Sequence, residues 1–221
     1  MAVTIDRGRK YSSPEAQAMV DALYAKVRER WEDRVNQKPF MQQLMAGTLP
    51  LSTLKVFFRN WGAYTIEINT LTACTYHKNI TFLKVNRDLM GPIGEKIADE
   101  FIHPKPPGHF LVMMETAKAF GLTEEEVFTS SMLSDFRGKI DFMRGIVYEG
   151  TAAEWYAAVT TEEQIGHWSA ACYKALTTHY GFDRAKATYF ATHVEADLEV
   201  HEEGVMGHAS FNRMALKRLL E

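Results

Sequence analysis

Cysteine is scarce in this chain: only Cys74 and Cys172 occur among its 221 residues. They stand far apart with no partnered spacing, so no disulfide framework is expected and a reduced, cytoplasmic setting is. Fourteen glycines and seven prolines are few for a chain of many short strands and turns. Charge of one sign is lacking too, since 25 basic against 28 acidic residues leave a net charge of −3. That balance gives no electrostatic footprint for nucleic acid or an anionic membrane. No apolar run approaches the roughly 20 residues that a membrane helix requires. Met1 to Lys10 hold no hydrophobic signal region and, on this reading, residues 1–12 form a short disordered arm ahead of one domain over 13–221. What remains is an ordinary composition, 46% apolar and 24% charged. It can bury a core without a disulfide or a structural metal.

Helical punctuation dominates what is present. Ser13, Pro14 and Glu15 read as an N-cap, a first-turn proline and a first-turn acid. Met19, Val20, Leu23, Tyr24, Val27 and Trp31 then recur at steps of three and four, which predicts an amphipathic helix to about Val35. A short helix from Pro39 stops at Gly47. Ser52 is expected to cap a longer one to about His77, and Pro92 opens another that ends near Glu100. Pro104, Pro106, Pro107 and Gly108 make a loop, and His109 to Phe120 is helical again, stopped by Gly121. Thr123 before three glutamates is a further helix start. Later helices are expected at 131–148, 152–180 and 184–208, with a last one from Asn212. No stretch alternates in the strand manner. The sum is one all-α domain of seven or eight helices.

Carboxylates and imidazoles fall on several of these helices. Glu67 lies mid-helix between apolar neighbours, where a solvated polar-face glutamate is the simplest account. Glu100 ends its helix, an unfavourable place for an anion, and His103 and His109 bracket the proline loop. Glu162 and Glu163 are adjacent, and taken alone a solvated pair. His193, Asp197 and His201 step by four, so all three project from one side of a helix. A stripe of that kind is a surface network or a metal site. His77, His167, His179 and His208 read as structural or exposed. Acids and histidines from separate helices converging in a bundle are how helical proteins build di-iron and di-manganese sites. Bridging carboxylates neutralise two close cations while imidazoles hold each from the side. Four carboxylates, Glu67, Glu100, Glu162 and Asp197, would balance two divalent ions, and a structural zinc site is disfavoured without a thiolate.

Over residues 50 to 205 this order resembles the haem-oxygenase-like di-iron oxidases, which share a fold with TenA thiaminase-like proteins and the quinone synthase PqqC. The segments that carry the resemblance are Trp61 to Glu67, Asp99-Glu100 before the loop and His109-Phe110-Leu111. Glu162-Glu163-Gln164 and His193-Val194-Glu195-Ala196-Asp197 complete it. The resemblance implies a haem-oxygenase-like helical bundle with Glu67, Glu100, His109, Glu162, His193, Asp197 and His201 as metal ligands. Glu67, Glu162 and Asp197 would also act in catalysis. It implies two ferrous ions or a manganese–iron pair, dioxygen as co-substrate, a small amino- or carboxylate-bearing substrate and a homodimer.

Three features depart from the family pattern or leave a choice. The last histidine usually follows the aspartate by three residues, but position 200 is Val and His201 comes one later; a π-bulge would restore its aim. His103 competes with His109, which is preferred because Phe110, Leu111 and Met114 follow it as the pattern expects. Glu162 and Glu163 point about 100° apart, so one of them is a ligand, and the Gln164 context favours Glu162. The alternatives are a metal-free PqqC-like oxidase, a TenA-like hydrolase using a cysteine nucleophile, and a non-catalytic partner-binding bundle. A haem oxygenase proper would need a proximal histidine near the N-terminus, and none precedes His77.

Overall fold

Apolar residues at helical spacing fold as their periodicity demands, and the described residues form an all-α structure with no strand among them. The computed structural model describes residues 10–102, 108–198 and 207–221, with backbone alone for 195–198. In chain order the helices are α1 (Ser13–Trp31), α2 (Pro39–Met45), α3 (Leu51–Lys78), α4 (Ile80–Val85), α5 (Met90–Phe101) and α6 (Gly108–Ala119). They continue as α7 (Glu124–Thr129), α8 (Ser134–Glu149), α9 (Ala152–Ala158), α10 (Glu162–His179), α11 (Thr188–Leu198) and α12 (His208–Leu220).

Several boundaries differ from the sequence reading, each for a local reason. The N-cap of α1 is Ser12, not Ser13, and Glu15 closes a capping box by accepting from the Ser12 amide at 2.9 Å and its hydroxyl at 2.8 Å. The helix ends in a π-turn over Glu32–Asn36. Pro50, extended at φ −60° and ψ 139°, precedes α3 in place of a Ser52 cap. The long helix expected over 152–180 breaks into α9, a 3₁₀ turn at Val159–Thr161, and α10. That break starts α10 at Glu162, so its carboxylate meets the favourable end of a helix dipole. Residues 1–9 of the expected arm lie outside the described residues, while the Tyr11 amide donates to the Leu220 carbonyl at 3.0 Å.

Two apolar clusters hold the helices. Leu54, Phe58, Met113, Leu176 and Phe190 centre one, and Tyr24, Leu83, Ile140, Tyr156 and Phe211 the other. A fully buried Leu or Phe contributes about 1.5–3 kcal/mol relative to an exposed one. Helix α3 runs along both clusters, giving Phe58 to the first and Leu71 to the second. Between those positions it buries Thr65 and Asn69, and just beyond them Thr72. A buried polar band between two apolar cores needs partners, and the candidate site lies against it.

Candidate functional site

Four helix ends meet beside that band. Glu100 lies in the last turn of α5, His109 is the second residue of α6, Glu162 begins α10 and His208 begins α12. His193 reaches in from α11. Gly108 makes the α5–α6 approach possible. It sits at φ +78°, and a Cβ there would lie 2.4 Å from the Glu100 carbonyl oxygen. Only glycine tolerates both the left-handed backbone and that contact.

The close approach sets Glu100 Oε2 3.5 Å from His109 Nδ1, with the two side chains only 14% and 2% exposed. The His109 and His193 rings follow at 4.4 Å between centroids, and His208 lies 6.4 Å from His109. Burial works to raise the Glu100 pKa, but His109, then His193 and His208, outweigh it and hold the carboxyl at about 2. His193 Nδ1 is 3.0 Å from the Tyr189 carbonyl. A carbonyl only accepts, so Nδ1 carries a proton and donates it, and Nε2 is the nitrogen that a deprotonated ring would offer to a ligand. His208 Nε2 pairs with Asp99 Oδ2 at 3.0 Å. The Tyr189 ring lies against His193, tilted by 41° with centroids 4.1 Å apart, and its hydroxyl accepts from Trp61 Nε1 at 2.9 Å.

Glu162 faces the same cavity and is held by Lys96 at 2.5 and 2.7 Å and by the Asn212 amide at 2.6 Å. Its neighbour Glu163 turns away to Arg213 at 2.6 Å and Arg28 at 3.1 Å. The cavity, about 70 Å³, is lined by Glu100, Glu162, His193, His208, Tyr64 and Trp61 among others.

The structure does not bring Glu67 to this cluster. Thr65 and Asn69 of α3 line the cavity, and Glu67, two residues from each, lies about 200° around the helix. Its carboxylate is bidentate to Arg137 at 2.6 and 2.8 Å, with Arg144 at 3.3 Å. The Asp197 side chain, His201 and the competing His103 lie outside the described residues. Among the described residues no group of three or more His, Cys, Asp or Glu is gathered closely enough to hold an ion. The donors that do converge, a carboxylate and imidazoles without thiolate, are of the type that suits a divalent first-row metal.

The family resemblance also implies a pocket between the core helices, with Trp61, Tyr64, Phe101, Tyr156 and Trp168 as its candidate lining. Trp61 and Tyr64 line it. Tyr156 and Trp168 belong to the two apolar cores, and Phe101, the last residue of α5, is 41% exposed. Sequence reasoning missed His208 and Lys96. Only Lys96 carried a signal, since it precedes Glu100 by four residues and shares its helix face.

The class these features define is an all-α protein of haem-oxygenase-like fold with a buried acid–imidazole cluster beside a cavity. A domain of unknown function with a heme oxygenase-like fold, from Shewanella denitrificans OS217, superposes with a TM-score of 0.63 at 15% identity. The match covers 91% of this chain and 90% of that one. The family model of the TENA/THI-4/PQQC family matches residues 24–206, and the chain belongs to that family. No curated protein matches it.

Proposed function

We propose that this protein is a non-haem di-iron oxidase acting with dioxygen on a small metabolite. The observation that carries the reading is the buried meeting of Glu100, His109 and His193, of which Glu100 and His193 line the cavity. Glu100, His109, Glu162 and His193, with Asp197 and His201, would hold the two ions, while Glu67 is left to its arginines. A manganese–iron pair would suit the same donors. Bound ferrous ions supply the electrons that reduce dioxygen. The chain's own part is positional. Tyr189 fixes the His193 tautomer, Lys96 and Asn212 orient Glu162, and Trp61 with Tyr64 screens the cavity from water. A cysteine-dependent hydrolase finds less support. Cys172 borders an apolar void away from the cavity, burial pushes its thiol up, and Cys74 is exposed.

Anaerobic loading with ferrous iron, followed by metal analysis and dioxygen-uptake measurements, tests the proposal. Close to two metals per chain, uptake faster than with free iron, and loss of at least one metal in Glu162→Ala but not Glu163→Ala are expected. A folded protein with almost no bound metal would refute it.

A further inference from the structure

The 70 Å³ cavity has room for about two waters at about 30 Å³ each, enough for a diatomic molecule but not for a metabolite. A second chamber of about 300 Å³ shares Trp61, Tyr64, Lys139, Thr161 and Ile165 with it as a common wall. That volume is at the lower end of the range for ligand pockets. The body of a substrate therefore belongs in the outer chamber, and the inner cavity is left to the smaller reactant.

One face of α3 walls the inner cavity, with Trp61, Tyr64, Thr65, Ile68, Asn69 and Thr72 at helical spacing. Its two threonines are committed to their own helix. Thr65 Oγ1 donates to the Trp61 carbonyl at 2.8 Å and Thr72 Oγ1 to the Ile68 carbonyl at 3.1 Å. Asn69 is different. It is only 5% exposed, and its Nδ2 has no hydrogen-bond partner in the protein. Asn60, earlier on the same helix, shows how a buried asparagine is usually satisfied. Its amide donates to the Val56 carbonyl at 2.8 Å and its Oδ1 accepts from the Leu133 amide at 2.7 Å. Asparagine is a poor helix former, and a buried amide without a partner is unfavourable. A cavity occupant that accepts a hydrogen bond removes the second of those costs.

The rest of the wall says which acceptor. Glu100 and Glu162 are anions that suit cations, while Trp61 Nε1 is taken by Tyr189 and His208 Nε2 is paired with Asp99. Asn69 is left to supply a neutral N–H. A fixed donor of that kind stabilises an oxygen ligand most as the ligand gains negative charge. We infer that the Asn69 amide donates a hydrogen bond to dioxygen, and to the charge it gains on reduction, in the inner cavity, while the substrate stays in the outer chamber. This deepens the oxidase reading and rests on it for the ferrous ions that reduce the dioxygen.

Nitric oxide is the probe, a diatomic of dioxygen's size that ferrous iron binds without turnover. Ferrous-loaded wild type and Asn69→Leu are compared anaerobically, by titration and by the infrared N–O stretch. Leucine is close to asparagine in size and donates no hydrogen bond. The variant should bind as much iron as the wild type and hold nitric oxide about five- to tenfold more weakly. Its N–O stretch should lie at higher wavenumber, because a hydrogen bond to the oxygen weakens the N–O bond. Asn69→Ala, which cannot overpack the helix face, should change both in the same direction, and Asn69→Gln, which keeps the amide, should fall between Asn69→Leu and the wild type. The melting temperature of metal-free Asn69→Leu should not fall, since no hydrogen bond within the protein is broken. A merely structural amide would give the reverse, a lower melting temperature with nitric oxide affinity and stretch unmoved, and that result overturns the inference. Loss of iron from Asn69→Leu overturns it too, by placing Asn69 in the ion site itself. A wild type that takes up no iron sinks the inference and the oxidase reading together. Iron and dioxygen uptake with nitric oxide binding indifferent to Asn69→Leu sinks the inference alone.

Discussion

Gly108→Ala is the substitution that should separate the α5–α6 junction most directly. The residue sits at φ +78°, where an L side chain costs about 1–2 kcal/mol. The new Cβ would also lie 2.4 Å from the Glu100 carbonyl oxygen and 2.8 Å from Phe101 Cα and carbonyl carbon. All three are backbone atoms of a helix end, which no rotamer change can move aside. Strain and clash together should destabilise the protein by about 2–4 kcal/mol. For a domain of this size, about 2–4 °C of melting temperature is lost per kcal/mol. Circular dichroism melts of the metal-free protein should thus fall by roughly 5–15 °C. Because the junction holds Glu100 against His109, ferrous affinity should fall as well. Gly94→Ala is the control. Gly94 lies inside α5 with nothing within 4 Å of a Cβ, so alanine there should stabilise by about 0.5–1 kcal/mol. An unchanged melting temperature and iron affinity in Gly108→Ala would refute the reasoning.

Glu67→Gln should keep its metal and lose only a solvent-screened ion pair, about 0.2–1 kcal/mol at neutral pH. The hydrogen bond from Arg137 holds the Glu67 carboxyl below its usual 4.5, so this contribution is present above that pH and fades as pH falls through the folded-state value; loss of iron in the variant would return Glu67 to the ligand set. Lys96→Met strands the Glu162 carboxylate with Asn212 alone and should destabilise the metal-free protein by about 3–5 kcal/mol. Ferrous ions should raise the variant's melting temperature more than the wild type's, and equal increments would show that Lys96 and the metals do not share Glu162. Mass spectrometry after brief alkylation of the native protein should find Cys74 modified and Cys172 intact, and rapid labelling of Cys172 would contradict its burial.

The sequence by itself determined the helices and much of their punctuation. Apolar spacing of three and four, the absence of alternating strands, and stops at Gly47, Gly121 and Gly181 are local properties, and each of those glycines has a positive φ in the structure. The meeting of Glu100 with His109 was legible for the same reason, because a short loop joins them. Tertiary structure alone decided which polar faces turn inward. Glu67 and Glu162 both read as candidate ligands, yet Arg137 of α8 takes one and the cavity receives the other. Glu163 went to Arg213 and Arg28, partners 50 and 135 residues away. His208, read as structural or exposed, is buried beside Asp99, 109 residues distant. A helix's period is written in neighbouring residues, but which azimuth is buried depends on the helix packed against it, and that partner is fixed only when distant segments assemble.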